Sequence, residues 1–287
     1  MQTNQQSREP IGKGTRGEMN KLMRSLSVLG VALLSLSGVS SSFGAPVLSE
    51  DFNSYSLGNL NGQGGWTAIS GAGANAIQVV SPGRADLPAG TGEDDSKAFT
   101  SSLGFMADGT SFYYGLTINM TTAQTGEYFA SVSAGTSTSL FYNRLFAKAT
   151  TGGFLLGIME TSGTGSVTNY GSTVLSLGTD YRVVVAQHII AGPLNDTLAI
   201  YVDPTDVIEL NNTAYVTKSW TTANSETNSY GQFNLRQGVS GAGPAVVVDD
   251  IVVGQDFSEV AMIPEPSTML LVGLGLVGLW TSRRRRS

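Results

Sequence analysis

An all-β sandwich is the fold class that the amino-acid sequence predicts, and three observations predict it. Charged residues make up 13% of the 287, while glycine alone contributes 36. That composition suits short strands and turns better than helices. Runs rich in Val, Ile, Phe, Tyr and Thr recur through the middle of the chain, split by Gly, Asn, Asp and Ser. No long stretch there has the apolar spacing of an amphipathic helix. The length is enough to bury a substantial core, and no break in composition marks a second domain between 45 and 260.

The elements follow in chain order. Residues 1–18 are polar and read as an extension outside the fold, with synthesis expected to start at Met19. Residues 19–44 have a basic start (Lys21, Arg24), an apolar stretch from Leu26 to Val39, and then small residues. That is the layout of a secretory signal peptide, a helix removed after export. Cleavage after Gly44 leaves Ser42 and Gly44 at the small-residue positions; cleavage after Ala45 is poorer, because Phe43 then occupies one of them.

Strands are predicted over 111–120, 127–133, 140–149, 153–159, 181–190, 197–203, 230–237 and 245–254. Weaker ones are predicted over 47–53, 76–80 and 97–101. About eleven strands in 45–260 fit two antiparallel sheets packed face to face. In TLAIYVD (197–203), Leu198, Ile200 and Val202 share one face, and Thr197, Ala199, Tyr201 and Asp203 the other. The segment 191–196 is the loop of a hairpin.

The chain closes with Pro264-Glu265-Pro266 and Arg283, Arg284, Arg285 and Arg286, and the 17 residues between Glu265 and Arg283 are nearly all apolar or small. A helix of that length is at the lower edge of what crosses a bilayer, and the arginines hold its end on the cytoplasmic side. Gly273, Gly275 and Gly278 fit a dinucleotide fingerprint only as a pattern, because the strand and βαβ unit that such a site needs are missing.

Two resemblances enter here. Segment 261–287 resembles the PEP-CTERM sorting signal of Gram-negative bacteria. The resemblance implies an exported, membrane-anchored precursor, processed near the motif by an exosortase and delivered to the cell surface or to an exopolysaccharide matrix. EDFNSYSLGNLNGQGGW (50–66), the hairpin 181–204 and VVVDDIVVG (246–254) resemble, in order and spacing, the laminin-G-like or concanavalin-A-like jelly roll. Related modules carry a structural calcium between first and last strands, which implies Asp51 and Asp249 as ligands. Glu93-Asp94-Asp95 is a loop alternative, and no spacing matches an EF-hand.

Composition narrows the function. Between 45 and 263 there are 19 acidic residues against 7 basic ones, a net of −12. That argues against a nucleic-acid partner. With no cysteine and one histidine, thiolate chemistry and multi-histidine metal sites are excluded. Glycosidases of the resembled fold carry Glu-x-Asp-x-x-Glu, which places two carboxyls about 5–9.5 Å apart across the sugar bond. Glu127 and Glu160 have no acidic neighbour at i+2, and Asp249 and Asp250 point to opposite faces of a strand. His188 reads as a core or rim residue on the face of Val184 and Ala186. Trp66 and Trp220, in loop-like contexts, are the candidate sugar-stacking residues; Tyr113, Tyr114, Tyr142 and Tyr170 read as packing. The expectation is a non-catalytic surface protein with an exopolysaccharide partner. A glycan-cleaving enzyme and a purely structural matrix protein remain open.

Overall fold

The computed structural model describes residues 45–261 apart from 105, 162–166 and 221–225. The predicted signal peptide up to Gly44, the Pro264–Pro266 motif, the apolar run and Arg283–Arg286 lie outside the described residues. Among the described residues no helix is long and apolar enough to cross a membrane.

The first strands are β1 (Leu48–Glu50), β2 (Gly58–Asn59), β3 (Trp66–Ser70), β4 (Gln78–Val80), β5 (Arg84–Leu87), β6 (Asp94–Leu103), β7 (Ser111–Thr122) and β8 (Glu127–Ser133). The chain continues with β9 (Phe141–Thr150), β10 (Gly153–Thr161), β11 (Asn169–Tyr170), β12 (Asp180–His188), β13 (Thr197–Val202), β14 (Val216–Ser219), β15 (Tyr230–Leu235) and β16 (Ala245–Gly254). A short helix, α1 (Phe257–Ala261), follows. All strand pairings are antiparallel, in two sheets. The nine-stranded sheet runs β14-β13-β12-β7-β16-β5-β4-β2, with β1 also on β16; the seven-stranded sheet runs β11-β10-β9-β8-β15-β6-β3. The predicted sandwich is therefore present, with sixteen strands rather than eleven among the described residues.

The core lies between the sheets, where Phe52, Trp66, Phe112, Tyr114, Phe129, Phe154, Tyr230 and Phe233 are fully buried. The alternation predicted for β13 holds: Leu198 and Ile200 enter this core, while Ala199 and Tyr201 face outward. β16 needs one correction to that rule. Val246 and Val248 face the core, then Ile251 and Val253 do, because a bulge places Asp250 at φ 48° and resets the parity. Before the bulge β16 pairs with β5, and after it with β1. The first and last strands are neighbours, Leu48 standing opposite Val253.

The outer face of the nine-stranded sheet has its own apolar cluster. Tyr113, Val184, Ala186, Ala199, Tyr201 and Val252 pack against Phe257, Val260 and Ala261 of α1. Five residues make too short a helix to persist alone. Packing holds it, with Phe257 edge-on to Tyr201 (5.1 Å) and Tyr113 (5.7 Å). Arg182 from β12 closes the contact, its Nε donating to Val260 O (2.9 Å) and its Nη1 to Asp250 O (2.6 Å). Burial pulls this guanidinium down to about 10, although it stays charged at neutral pH. Gly115 beneath it leaves the space, since a Cβ there would lie 2.5 Å from both Arg182 Nη2 and Val260 O. Arg182→Met is therefore expected to free α1. Hydrogen bonds to a charged group are worth about 1.5–3 kcal/mol. Amide exchange over 257–261 should then speed up at least tenfold, with the strands unaffected; unchanged exchange would show that apolar packing alone holds the helix.

Candidate functional site

The outer face of the seven-stranded sheet gathers a set of cations and aromatics. In β9 Leu145 and Ala147 point into the core, so Arg144, Phe146 and Lys148 point out. In β15 Phe233 and Leu235 point in, so Gln232, Asn234 and the following Arg236 point out. β8 contributes Tyr128, opposite Phe146, with Ser131 and Ser133. The Tyr128 ring lies between two guanidiniums, Arg236 at 4.2 Å and Arg144 at 4.6 Å, and Arg144 also reaches Phe141 at 5.9 Å. Lys148 sits 3.9 Å from the Tyr170 ring. Glu127 holds Arg236 at 3.1 Å, with Asp94 at 3.8 Å. Beside them Asn234 Nδ2 donates to Ser133 Oγ (2.9 Å) and Gln232 Nε2 to Ser137 O (2.8 Å).

Burial, reinforced by Arg236, lowers Arg144 from its usual value, and burial raises Tyr128. Three of the seven basic residues between 45 and 263 thus share one face of an acidic domain. Lys148, Arg236, Phe141 and Tyr170 keep partial exposure. Such a face can fork hydrogen bonds to carboxylate or sulfate and stack a ring.

The predicted stacking residues are elsewhere. Trp66 and Trp220 are both fully buried and present no surface for a ligand, which corrects that expectation. Trp66 Nε1 donates to Glu50 Oε2 (3.0 Å), and its ring stacks on Phe52 at 6.0 Å. Trp220 stacks on Tyr142 at 6.1 Å. A buried indole is held by apolar neighbours and by one acceptor for its N–H; the Gly-rich flank of Trp66 gave no sign of either.

Asp51 and Asp249 come into each other's field, with Arg84 beside Asp249. Arg84 Nε lies 3.3 Å from Asp249 Oδ2, and its Nη2 lies 2.9 Å from Asp180. Asp51 is exposed and accepts from the Asn53 amide (3.1 Å). Burial, aided by the Asp250 and Asp51 charges, pushes Asp249 up to about 6 against the pull of Arg84.

His188 does share a face with Val184 and Ala186, but that face is the outer one, at the rim of the α1 cluster. Its Nδ1 is 2.9 Å from Ser111 Oγ, and its Nε2 is 3.1 Å from Glu209 Oε1. Glu209, far off in sequence, also accepts from Tyr113 (2.7 Å) and Tyr201 (2.8 Å). Burial raises Glu209, but the bonds from His188 and the two tyrosines outweigh it and hold the carboxyl below its usual range. The spacing matches a serine–histidine–acid relay. The adjacent amides of Gly109 and Ile189, however, are bonded to Ile189 O and Thr110 O rather than free to stabilise an oxyanion. The two tyrosines bonded to Glu209 are the ones on which Phe257 packs. Glu160 is buried against Lys218 at 3.1 Å and joins the two sheets.

Two further carboxylates are buried at the start of β6, Asp95 within it and Glu93 just before it. Asp95 is inaccessible to solvent, and neither of its oxygens has a hydrogen-bond partner; Glu93 is 1% exposed, and its Oε1 has none. Burial first, then the charges of Glu93 and Asp94, push Asp95 up to about 7.

Comparison with known proteins gives one family match and several structural likenesses. No curated protein matches the chain in sequence. The globular domain of T. cruzi calreticulin is 10% identical over 84% of this chain and all of that one, with a TM-score of 0.46. The CBM2 module of the Lactobacillus casei BL23 phage J-1 evolved Dit is 15% identical over 74% and 96%, with a TM-score of 0.46. The carbohydrate-binding module CBM66 from Bacillus subtilis is 11% identical over 66% and 95%, with a TM-score of 0.39. Residues 263–286 match the PEP-CTERM protein-sorting motif, so the chain carries the sorting signal of an exported precursor processed by an exosortase.

Proposed function

We propose that this exported chain is a non-catalytic surface protein that binds an anionic polysaccharide across the outer face of its seven-stranded sheet. The observation that carries this is the Arg144–Tyr128–Arg236 stack with Lys148 and Tyr170 beside it, in a domain whose net charge between 45 and 263 is −12. A neutral glycan would need no such concentration of cations, whereas uronate or sulfate groups would meet the part-exposed Arg236 and Lys148 and their rings the part-exposed Tyr170 and Phe141, with the buried Tyr128 and Arg144 holding that face in place. The sorting signal supports an extracellular ligand. Export through the 19–44 signal peptide and residence in an exopolysaccharide matrix belong to the same reading.

The test is binding of the purified full-length chain to polygalacturonate and to dextran. Polygalacturonate should bind, and more weakly as salt rises. Arg236→Gln with Lys148→Ala should weaken it at least tenfold, the loss of about one charge-assisted bond. Equal binding of dextran, or no effect of the double substitution, would defeat the reading.

A further inference from the structure

We propose that Glu93 and Asp95 hold a calcium ion inside the sandwich, beneath the loops 71–75 and 89–92. Asp95 and Lys97 share the core side of β6, and Glu93 immediately precedes that strand. Asp95 stands opposite Leu235 and Ala68, and Lys97 opposite Phe233 and Trp66, of which Leu235, Phe233 and Trp66 are core residues. Lys97 is engaged with Glu50 at 2.5 Å. Among the described residues no side-chain cation pairs with Glu93 or Asp95.

Three oxygens of these two sequestered carboxylates are without a donor: both of Asp95 and Oε1 of Glu93. The fourth, Glu93 Oε2, accepts from the Gly73 amide (2.7 Å) and from Asn61 Nδ2 (3.5 Å). Buried polar groups are almost always partnered, so three orphans in neighbouring residues call for an explanation. Protonating Asp95 does not supply one. A carboxylic acid still needs an acceptor for its proton, and Asp95 has no partner of either kind. A cation satisfies all three oxygens at once and removes the repulsion that Asp95 feels from Glu93.

The chemistry of the donors selects the ion. They are all oxygen, which favours a hard cation over zinc or copper. Among the described residues no three acidic or histidine side chains converge, so backbone carbonyls and water would complete the shell, as calcium accepts in its irregular six to eight positions and magnesium does not. Two loop carbonyls flank the Glu93 backbone. The Glu93 amide bonds Ala74 O at 2.8 Å, and a Cβ on Gly71 would lie 2.4 Å from Gly92 O. The pair is separate from Asp51 and from Asp249, which has Arg84 beside it.

The probe is terbium, which replaces calcium and emits when excited through a nearby indole. Trp66 is in β3, two residues from Ala68, the partner of Asp95. The full-length chain should give saturable terbium emission that calcium displaces, and calcium should raise its melting temperature above that in EDTA. Asp95→Asn should weaken terbium binding at least a hundredfold and abolish the calcium effect on melting. Because it removes a sequestered charge, it should melt in EDTA no lower than the wild type, so the loss cannot be ascribed to misfolding. Glu93→Gln keeps an acceptor for Gly73 and should behave likewise, whereas Asp249→Asn should keep the site. Melting indifferent to calcium and EDTA, or calcium dependence that survives Asp95→Asn, overturns the assignment.

Discussion

Lys97→Met is expected to destabilise the fold by about 3–5 kcal/mol, the cost of stripping one partner from a sequestered ion pair. At about 2–4 °C per kcal/mol for a domain of this size, the melting temperature should fall by roughly 6–20 °C. The reason is the knot around Glu50, whose side chain is 4% exposed. Its Oε1 accepts from the Phe52 amide (2.9 Å), and its Oε2 from Tyr55 (2.5 Å), Trp66 (3.0 Å) and Lys97 (2.5 Å). Burial pushes the carboxyl up, but Lys97, Tyr55, Phe52 and Trp66 together outweigh it and hold the group below its usual range. Its contribution is therefore complete above the ordinary carboxylate range and lost as the pH falls through the depressed value. Adding Glu50→Gln to Lys97→Met removes the abandoned charge and should recover much of the loss. A single variant as stable as the wild type in urea would show that the tyrosine and indole suffice.

Gln187→Leu is the second large effect, at about 3 kcal/mol measured by urea unfolding. Gln187 stands on β12 but reaches across the core to the other sheet. Its Oε1 accepts from Asn143 (2.8 Å) and from the Tyr230 hydroxyl, while its Nε2 donates to Asp196 (2.7 Å) and Thr227 O (3.1 Å). Gln187, Asn143 and Tyr230 are all fully buried. Leucine fills the volume but leaves the Asn143 amide and one oxygen of Asp196 short of partners, at about 1–3 kcal/mol each. The Tyr230 hydroxyl keeps Thr227 O at 3.1 Å. A loss under 1 kcal/mol would mean that the sheets are held by apolar packing alone.

What could be read in advance had a local period. β7, β9, β12 and β16 are nine to twelve residues long and rich in β-branched and aromatic side chains, so their pattern shows through. β2 and β11 have two residues each, and β5 and β14 four, too few to show any alternation. The candidate face was half legible. Arg144, Phe146 and Lys148 occupy alternate positions of one predicted strand and could have been grouped from that alone. Arg236 and Tyr128 join them only through the β8–β9 and β8–β15 registers, which no local pattern encodes. The same holds for Glu209, which reaches His188 from a 3-10 turn 21 positions later in the chain. Trp66 misled because glycine-rich flanks resemble an exposed loop, whereas its partner Glu50 lies in a different strand.

The position of β16 has a mechanical consequence. If the chain binds a polysaccharide as proposed while held through its C-terminal sorting signal, it would be pulled through its last strand. β16 is no edge that could be peeled away. β7 lines one side along most of its length, and β5 and then β1 line the other. Antiparallel hydrogen bonds lie across the strand direction, so tension along β16 loads many of them together in shear rather than one after another. The Arg182 contact to Val260 joins α1 to the sheet outside that ladder, so its loss would release only the short stretch of α1.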